Sequence, residues 1–416
     1  MKGLVGTMSK PLKILFVSNR YLIAGGERQV FEAELKLLRD NGHIVQTYVE
    51  DNRRIASLGK VRTAAKTIWS HETYRTVRSQ LKQEQFDLVH VHNAFPLISP
   101  SVYYAAQAEQ TPLVQTLHNF RLLCINGLLY RNGAVCEDCV GRSVPLPGIY
   151  HACYKGSRAG SITAATMLSF HRAIKTWDRL IDTYIALTEF SRQKFIDGGL
   201  SGSKITIKPN FLAKDPGCGD GRGRYALYVG LLSTEKGVDT LLTAWQKAAG
   251  KVPLKIIGEG PLQEKVAAAA NATEGIEYLG RVPNEQVLEI MRDALFLVFP
   301  SALYENFPMA IVEAFATGLP VLTSDQGNAS ALIQPEETGL HFRSGDANGL
   351  AHKAMWLVDN PKLLNKMRGQ ARAAFEAQMS PRKNYQLLAQ IYDKTLASRK
   401  LPKEEGYRNL LSPKID

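Results

Sequence analysis

The sequence predicts an α/β protein of two parallel-sheet lobes facing one another across a cleft. Three observations carry that prediction. Short apolar runs alternate with helical patterns through the first half, the same alternation restarts in the second half, and a Gly-dense segment, Asp215–Gly223 (DPGCGDGRG), separates the two. Apolar runs too short to be helices, separated by helices, imply parallel strands joined by crossover connections. A length of 416 residues suits two or three domains.

In chain order, Lys13–Asn19 (KILFVSN) reads as a buried strand. Gly26–Asn41 reads as a helix whose apolar positions are Val30, Phe31, Leu35, Leu37 and Leu38. Further strands are expected at Ile44–Val49, Leu88–His92, Leu113–Leu117, Tyr184–Leu187 and Ile205–Pro209. After the Gly-dense segment, strands are expected at Tyr225–Val229, Leu254–Ile257, Ile276–Leu279, Leu295–Phe299 and Val321–Thr323. Helices are expected at Val238–Ala248, Leu262–Ala270, Glu285–Asp293, Ala310–Ala316 and Leu350–Val358, and two more, near Leu363–Gln378 and Asn384–Lys394, close the chain. The expected division is a first lobe over 1–212 with a Cys-containing insert at 120–155, and a second lobe over 213–380. A closing segment over 381–416 is expected to return its helix to the first lobe and to end in a polar tail from Lys400.

The formal net charge is +12, which favours an anionic partner. Part of it gathers in Arg53, Arg54, Lys60, Arg62, Lys66, Arg75, Arg78 and Lys82, with Glu72 the sole acid from Arg53 to Lys82. Leu58, Val61, Ile68 and Trp69 offer an apolar face to the same stretch. Docking on anionic lipid is one reading and a solvated helical face is the other. A nucleic-acid partner is not expected, because the basic residues are not interleaved with aromatic side chains. Met1–Lys10 is short and polar, and no apolar run reaches the roughly 20 residues a spanning helix needs. A cytoplasmic protein is expected, resting at most on the cytoplasmic face of a membrane.

Four of the five cysteines, Cys124, Cys136, Cys139 and Cys153, fall in one stretch. Four thiolates suffice for a tetrahedral structural zinc. Free buried thiols and a redox or disulfide use are the other readings.

Three segments carry chemistry. Gly25 and Gly26, after the first strand and at the mouth of the first helix, let backbone N–H groups approach a bound anion. Gly230 ends the first strand of the second lobe and leads to Lys236, a cation well placed for a diphosphate. The segment Tyr304–Glu313 (YENFPMAIVE) puts Glu305 in a strand-to-helix loop, Pro308 at a helix start and Glu313 on the helix. Free backbone N–H groups from Asn306 onward suit an anionic ligand, and the two carboxylates suit hydroxyl groups. The plain alternatives are a tight turn, a surface lysine and two solvated glutamates.

These segments, with I-G-E-G-P-L at Ile257–Leu262, resemble the retaining glycosyltransferases of the GT-B fold in family four (glycosyl transferases group 1), over about Lys13 to Lys394. The resemblance implies a nucleotide-diphosphate sugar donor and a glycan or lipid-linked glycan acceptor, in cell-envelope polysaccharide assembly. It implies that Glu305 faces the donor sugar, that Lys236 binds the diphosphate, and that Glu313 holds the ribose. Asn306, Phe307 and Pro308 would touch sugar and diphosphate. Gly258, Glu259 and Gly260 would lie near the nucleotide, Arg281 and Val282 near the base, and His118 near the reacting sugar. No catalytic metal is required on this reading. Family members usually carry Arg where this chain has Leu231. Another base (Arg281 or Arg28) replaces it, or donor affinity is low, or the chain is not catalytic. The alternatives in function are a nucleotide-sugar epimerase of the same fold and a non-catalytic binding protein.

Overall fold

The apolar run that opens the chain becomes β1 (Lys13–Arg20), whose six central residues are buried. It is the second strand of a six-stranded sheet in a computed structural model that describes residues 10–22, 25–248 and 250–400. The other strands of that sheet are β2 (Ile44–Asp51), β3 (Leu88–Asn93), β4 (Leu113–Thr116), β7 (Thr183–Ala186) and β8 (Ile205–Ile207). A hairpin of β5 (Tyr130–Arg131) and β6 (Ala134–Val135) sits in the insert. The strand order is β2-β1-β3-β4-β7-β8, and every pairing is parallel.

A second six-stranded parallel sheet has the order β11-β10-β9-β12-β13-β14. Its strands are β9 (Ala226–Val229), β10 (Leu254–Ile257), β11 (Ile276–Gly280), β12 (Phe296–Phe299), β13 (Val321–Ser324) and β14 (Gly339–Phe342). The sequence reading missed β14. Its four residues include His341 and carry no alternation, and they become a strand by pairing along β13, from Val321 opposite Gly339 to Ser324 opposite Phe342. Helices cover both sheets, so the central strands are buried on two faces and read as continuous apolar runs, whereas the edge strand β2 keeps exposed positions such as Ile44.

The Gly-dense segment is held against the second lobe. Asp215 pairs with Arg372 at 2.5 Å, and the Gly219 N–H donates to Thr317 O at 2.9 Å. The chain then leaves the second lobe through the helix Pro361–Gln378 and returns in the helix Pro381–Lys400. Tyr385, Leu388, Ile391 and Tyr392 of that last helix pack with Leu12, Ile14 and Phe16 of the first lobe. Polar contacts fix its register: His43 Nε2 lies 3.0 Å from Tyr385 Oη, and His90 Nδ1 lies 2.7 Å from Tyr392 Oη. The Ala24 position and the tail after Lys400 lie outside the described residues. No helix among the described residues is long and apolar enough to cross a membrane.

The basic stretch from Arg53 to Lys82 folds as the helices Arg54–Ile68 and His71–Glu84. Half of its eight cations meet acids, three of these acids lying outside the stretch. Arg53 pairs with Asp51, Arg54 with Glu50, Lys66 with Glu72 and Arg78 with Glu109. Ile68 packs on the lobe core, and Trp69 sits edge-on to Tyr104 with centroids 5.1 Å apart. Of the expected apolar face, Val61 alone is largely exposed, at 83%.

Candidate functional site

In open parallel sheets a ligand site forms beyond the carboxyl ends of strands where the strand order reverses. In the second sheet that point lies between β9 and β12. Gly230 follows β9 and Pro300 follows β12, and a pocket opens between them. Gly26 and Gln29 of the first lobe line its far side. A Cβ on Gly26 would come within 3.1 Å of Met309 Cγ, so the absence of a side chain there lets the two lobes approach.

Lys236 and Glu305 meet in this pocket. Lys236 ends the short 3₁₀ turn Thr234–Lys236, and its Nζ lies 2.6 Å from Glu305 Oε1. Ser301 Oγ donates to the same oxygen at 2.7 Å. Glu305 has φ 35°, a left-handed conformation for a residue with a side chain. Such a backbone costs about 1–3 kcal/mol and persists only where neighbours impose it. Asn328 imposes it here. Its Nδ2 donates to the Tyr304 carbonyl at 3.2 Å and to the Glu305 carbonyl, while its Oδ1 accepts from Ser191 Oγ at 3.0 Å and from Thr188 Oγ1. Thr188 and Ser191 begin the helix Glu189–Asp197 of the first lobe. One buried amide therefore ties the Glu305 loop to the opposite lobe. Sequence reasoning missed Asn328, because a lone Asn after a strand carries no motif.

Pro308 caps the helix Met309–Ala316, and Met309 and Ala310 at its first turn line the pocket. Their N–H groups precede the first intrahelical bond and face an anion with the helix dipole behind them. Glu313 lies one turn further, 6% exposed, and also lines the pocket. Burial pushes its carboxyl up to about 7, against a hydrogen bond from Asn284 that pulls it down. The folded chain therefore holds this proton more tightly than the unfolded chain does. The resulting penalty on folding is absent below about pH 4.5, grows through the interval and is complete above about 7. Glu313→Gln is expected to raise the Tm at pH 8 and to leave it unchanged at pH 4, read by calorimetry at both values.

The other sequence-nominated residues divide between the pocket and its surroundings. Gly25 lines a neighbouring hollow with Tyr21, Glu27 and Arg28, and Gly26 borders both. Gly258 and Gly260 press on the loop after β9: a Cβ on Gly258 would stand 1.9 Å from Gly230 O. They shape the pocket wall without lining the pocket. Glu259 and Arg281 form an exposed pair at 3.7 Å, and Val282 packs beside the apolar core under the sheet. Asn306 does not line the pocket, and its Oδ1 is buried without a hydrogen-bond partner among the described residues. Phe307 and Pro308 do line it. Neither candidate to replace the usual Arg enters the pocket. Arg281 is turned to solvent, and Arg28 pairs with Glu32 at 3.0 Å. Lys236 is the one basic side chain among the described residues that line it.

His118 lies in the first lobe, lining a cavity with Asn93, Gln115 and Arg121 that shares no residue with the Lys236 pocket. Its Nε2 is 2.9 Å from His92 Nδ1, and His92 Nε2 is 3.6 Å from Glu34 Oε2. Burial lowers all three imidazoles, His92 to about 3 and His90 and His118 well below the usual range. They are neutral at physiological pH and act through hydrogen bonds, not charge. Glu34, His90 and His92 bring their ligand atoms within 4.8 Å of one another. Lys208 already holds Glu34 by an ion pair, and Tyr392 and Thr116 occupy both nitrogens of His90, so this cluster is built as a polar core. Among the described residues the four cysteines form no such converged group. They do lie near enough to oppose one another's ionisation. Burial first, then the neighbouring thiols, raises Cys139 to about 11, and Cys153 is raised likewise. Cys124 Sγ donates instead to Asn126 Oδ1 at 2.9 Å.

The two-lobed fold is shared with solved structures. The structure of Anabaena HepE in complex with UDP superposes with a TM-score of 0.65 at 15% identity, covering 92% of this chain and all of that one. Two lobes of this kind, with a pocket at the switch point of the second, define the GT-B class. Two family models then match end to end: Glycosyltransferase Family 4 over residues 24–214 and Glycosyl transferases group 1 over 219–374. The chain is a glycosyltransferase of the family-four type. An uncharacterized glycosyltransferase of Methanocaldococcus jannaschii is 25% identical over 363 residues, 85% of this chain and 90% of that one. A phosphatidyl-myo-inositol mannosyltransferase of Mycolicibacterium smegmatis is 22% identical over 364 residues, 82% and 83% of the two chains.

Proposed function

We propose that the chain moves a sugar, with retention, from a nucleoside-diphosphate sugar to a glycan or lipid-linked glycan acceptor in the assembly of cell-envelope polysaccharide. The observation that carries this is the meeting of Lys236, Glu305 and the start of the Met309–Ala316 helix in one pocket bordered by the opposite lobe. The UDP held by HepE, the mannosyltransferase relative and the basic charge of the chain support it.

Bound diphosphate takes Lys236 from Glu305, which frees that carboxylate for a hydroxyl of the donor sugar. As the bond from the anomeric carbon to the diphosphate oxygen breaks, its electron pair collects on the phosphate. Lys236 and the N–H groups at the helix start stabilise that charge more in the transition state than before it. The acceptor oxygen bonds to the anomeric carbon from the same face, and its proton passes to the departing phosphate oxygen. The ionised Glu313 accepts from the ribose diol. Affinity for UDP, used as a probe, is therefore expected to weaken as the pH falls below about 7, and Glu313→Gln is expected to flatten that dependence.

A screen of nucleoside-diphosphate sugars by thermal shift, followed by product analysis by NMR, tests the whole reading. An inverted anomeric centre would remove retention. A new nucleotide-sugar formed without acceptor would make the chain an epimerase. A structural zinc on Cys124, Cys136, Cys139 and Cys153 belongs to the proposal on the strength of their clustering, and requires their side chains to turn inward from the present arrangement. About one zinc per purified chain, lost in Cys136→Ser/Cys139→Ser, is the expected result; a zinc-free, fully active protein removes it.

A further inference from the structure

From Cys139 to Trp177 the chain has no Asp or Glu, yet it carries Arg142, Lys155, Arg158, Arg172 and Lys175. The segment folds as the helices Leu146–Tyr150 and Arg158–Ala173, packed on one another at the surface of the first lobe. It also holds six of the eleven large apolar side chains that are exposed among the described residues: Val144, Leu146, Tyr150, Ile162, Phe170 and Ile174. So uneven a share is not the scatter of single apolar residues that any surface shows.

The longer helix explains the pattern. Its inner face, Ala164, Ala165, Met167 and Leu168, is buried in the lobe core. On the outer face Arg158, Ile162, Thr166 and Phe170 follow at four-residue spacing, all exposed, and therefore form one stripe. Ile174 and Lys175 continue it past the helix end. Folding inside this lobe requires only the inner face to be apolar, so the outer stripe is not explained by the core. Nor are its charges spent in ion pairs among the described residues. Lys155, Arg158 and Lys175 form no ion pair among the described residues. Arg172 donates to the Leu122 carbonyl and Arg142 to the Asp138 carbonyl, and neither is neutralised by a carboxylate.

Apolar and aromatic side chains set among basic ones that form no ion pair, with no acid inside the segment, match an interface with acyl chains below and anionic headgroups above. The basic stretch at Arg53–Lys82 is a poorer match: Lys60, Arg62, Arg75 and Lys82 form no ion pair among the described residues, but of its four apolar residues Val61 alone is largely exposed. We propose that the surface formed by the helices Leu146–Tyr150 and Arg158–Ala173 docks on an anionic lipid bilayer and holds the first lobe against it. The proposal rests on the lipid-linked acceptor reading and names the part of the chain that would meet the lipid.

Flotation of the full chain with phosphatidylcholine vesicles, with and without phosphatidylglycerol, tests it. The wild type is expected to float only with phosphatidylglycerol, and less so at high salt. Ile162→Ser/Phe170→Ser and Lys155→Glu/Arg158→Glu are each expected to lower the partition coefficient at least about tenfold with an unchanged Tm, while Lys60→Glu/Arg62→Glu leaves it within about twofold. No flotation of the wild type overturns the proposal. So does loss of binding in the Lys60/Arg62 variant alone, or a Phe170-dependent dimer in light scattering without vesicle binding. The assay uses neither donor nor acceptor. A chain that floats and transfers no sugar would sink the transfer reading and leave this one standing.

Discussion

Lys208→Met is expected to destabilise the first lobe by about 3–5 kcal/mol. Lys208 follows β8, Glu34 lies on the helix Gly26–Asp40, and both side chains are wholly inaccessible and paired with each other. Without the ammonium, Glu34 retains only the neutral His92 ring, 3.6 Å from its second oxygen. A buried carboxylate so placed must either stay charged in a low dielectric or take up a proton, and both are costly. Urea denaturation should show a fall in midpoint with little change in slope. Lys208→Met/Glu34→Gln should recover most of the loss, because no uncompensated charge remains. A single-variant loss below about 1 kcal/mol would mean that water reaches Glu34 and that the pair is not buried in solution.

Lys236→Met and Glu305→Gln are each expected to lower kcat about 100- to 1,000-fold, the range found when one preorganised group is removed from a site of developing charge. The fold should survive, since both side chains sit at the pocket surface and their pair is partly solvated. Because they act on one donor, the double variant should fall little below the worse single one. Lys236→Met should also weaken the binding of UDP, whereas Glu305→Gln should leave it nearly unchanged, since its partner is sugar and not diphosphate. Full transfer by either variant would show that the chemistry lies elsewhere. The missing cation at Leu231 sharpens this expectation. With neither Arg281 nor Arg28 in the pocket, the diphosphate charge falls on Lys236 and the helix start alone.

Both sheets were legible in the residues because their central strands are buried on both faces. A run such as Lys13–Asn19 or Leu254–Ile257 needs no partner to be recognised, and the helices between them carry a 3.6-residue period. β14 was not legible, because its pairing energy comes from β13 and not from its own residues. The glutamate pair and Lys236 were legible for a related reason: their spacing is set by a strand, a loop and a helix that are contiguous in the chain.

Contacts between distant segments were a different matter. Asn328 reaches Glu305, Thr188 and Ser191 across the two lobes. Lys208 finds Glu34 across 174 positions of sequence, and Arg53, Arg54 and Arg78 meet acids that the one-dimensional tally left out. The residues alone determine two parallel-sheet lobes, the pocket-forming loops and the charge of the surface, since each depends on local period and composition. The tertiary structure decides which polar groups meet, which cations stay unpaired and which apolar faces remain open. Those outcomes depend on distances that a chain acquires only when its segments have packed.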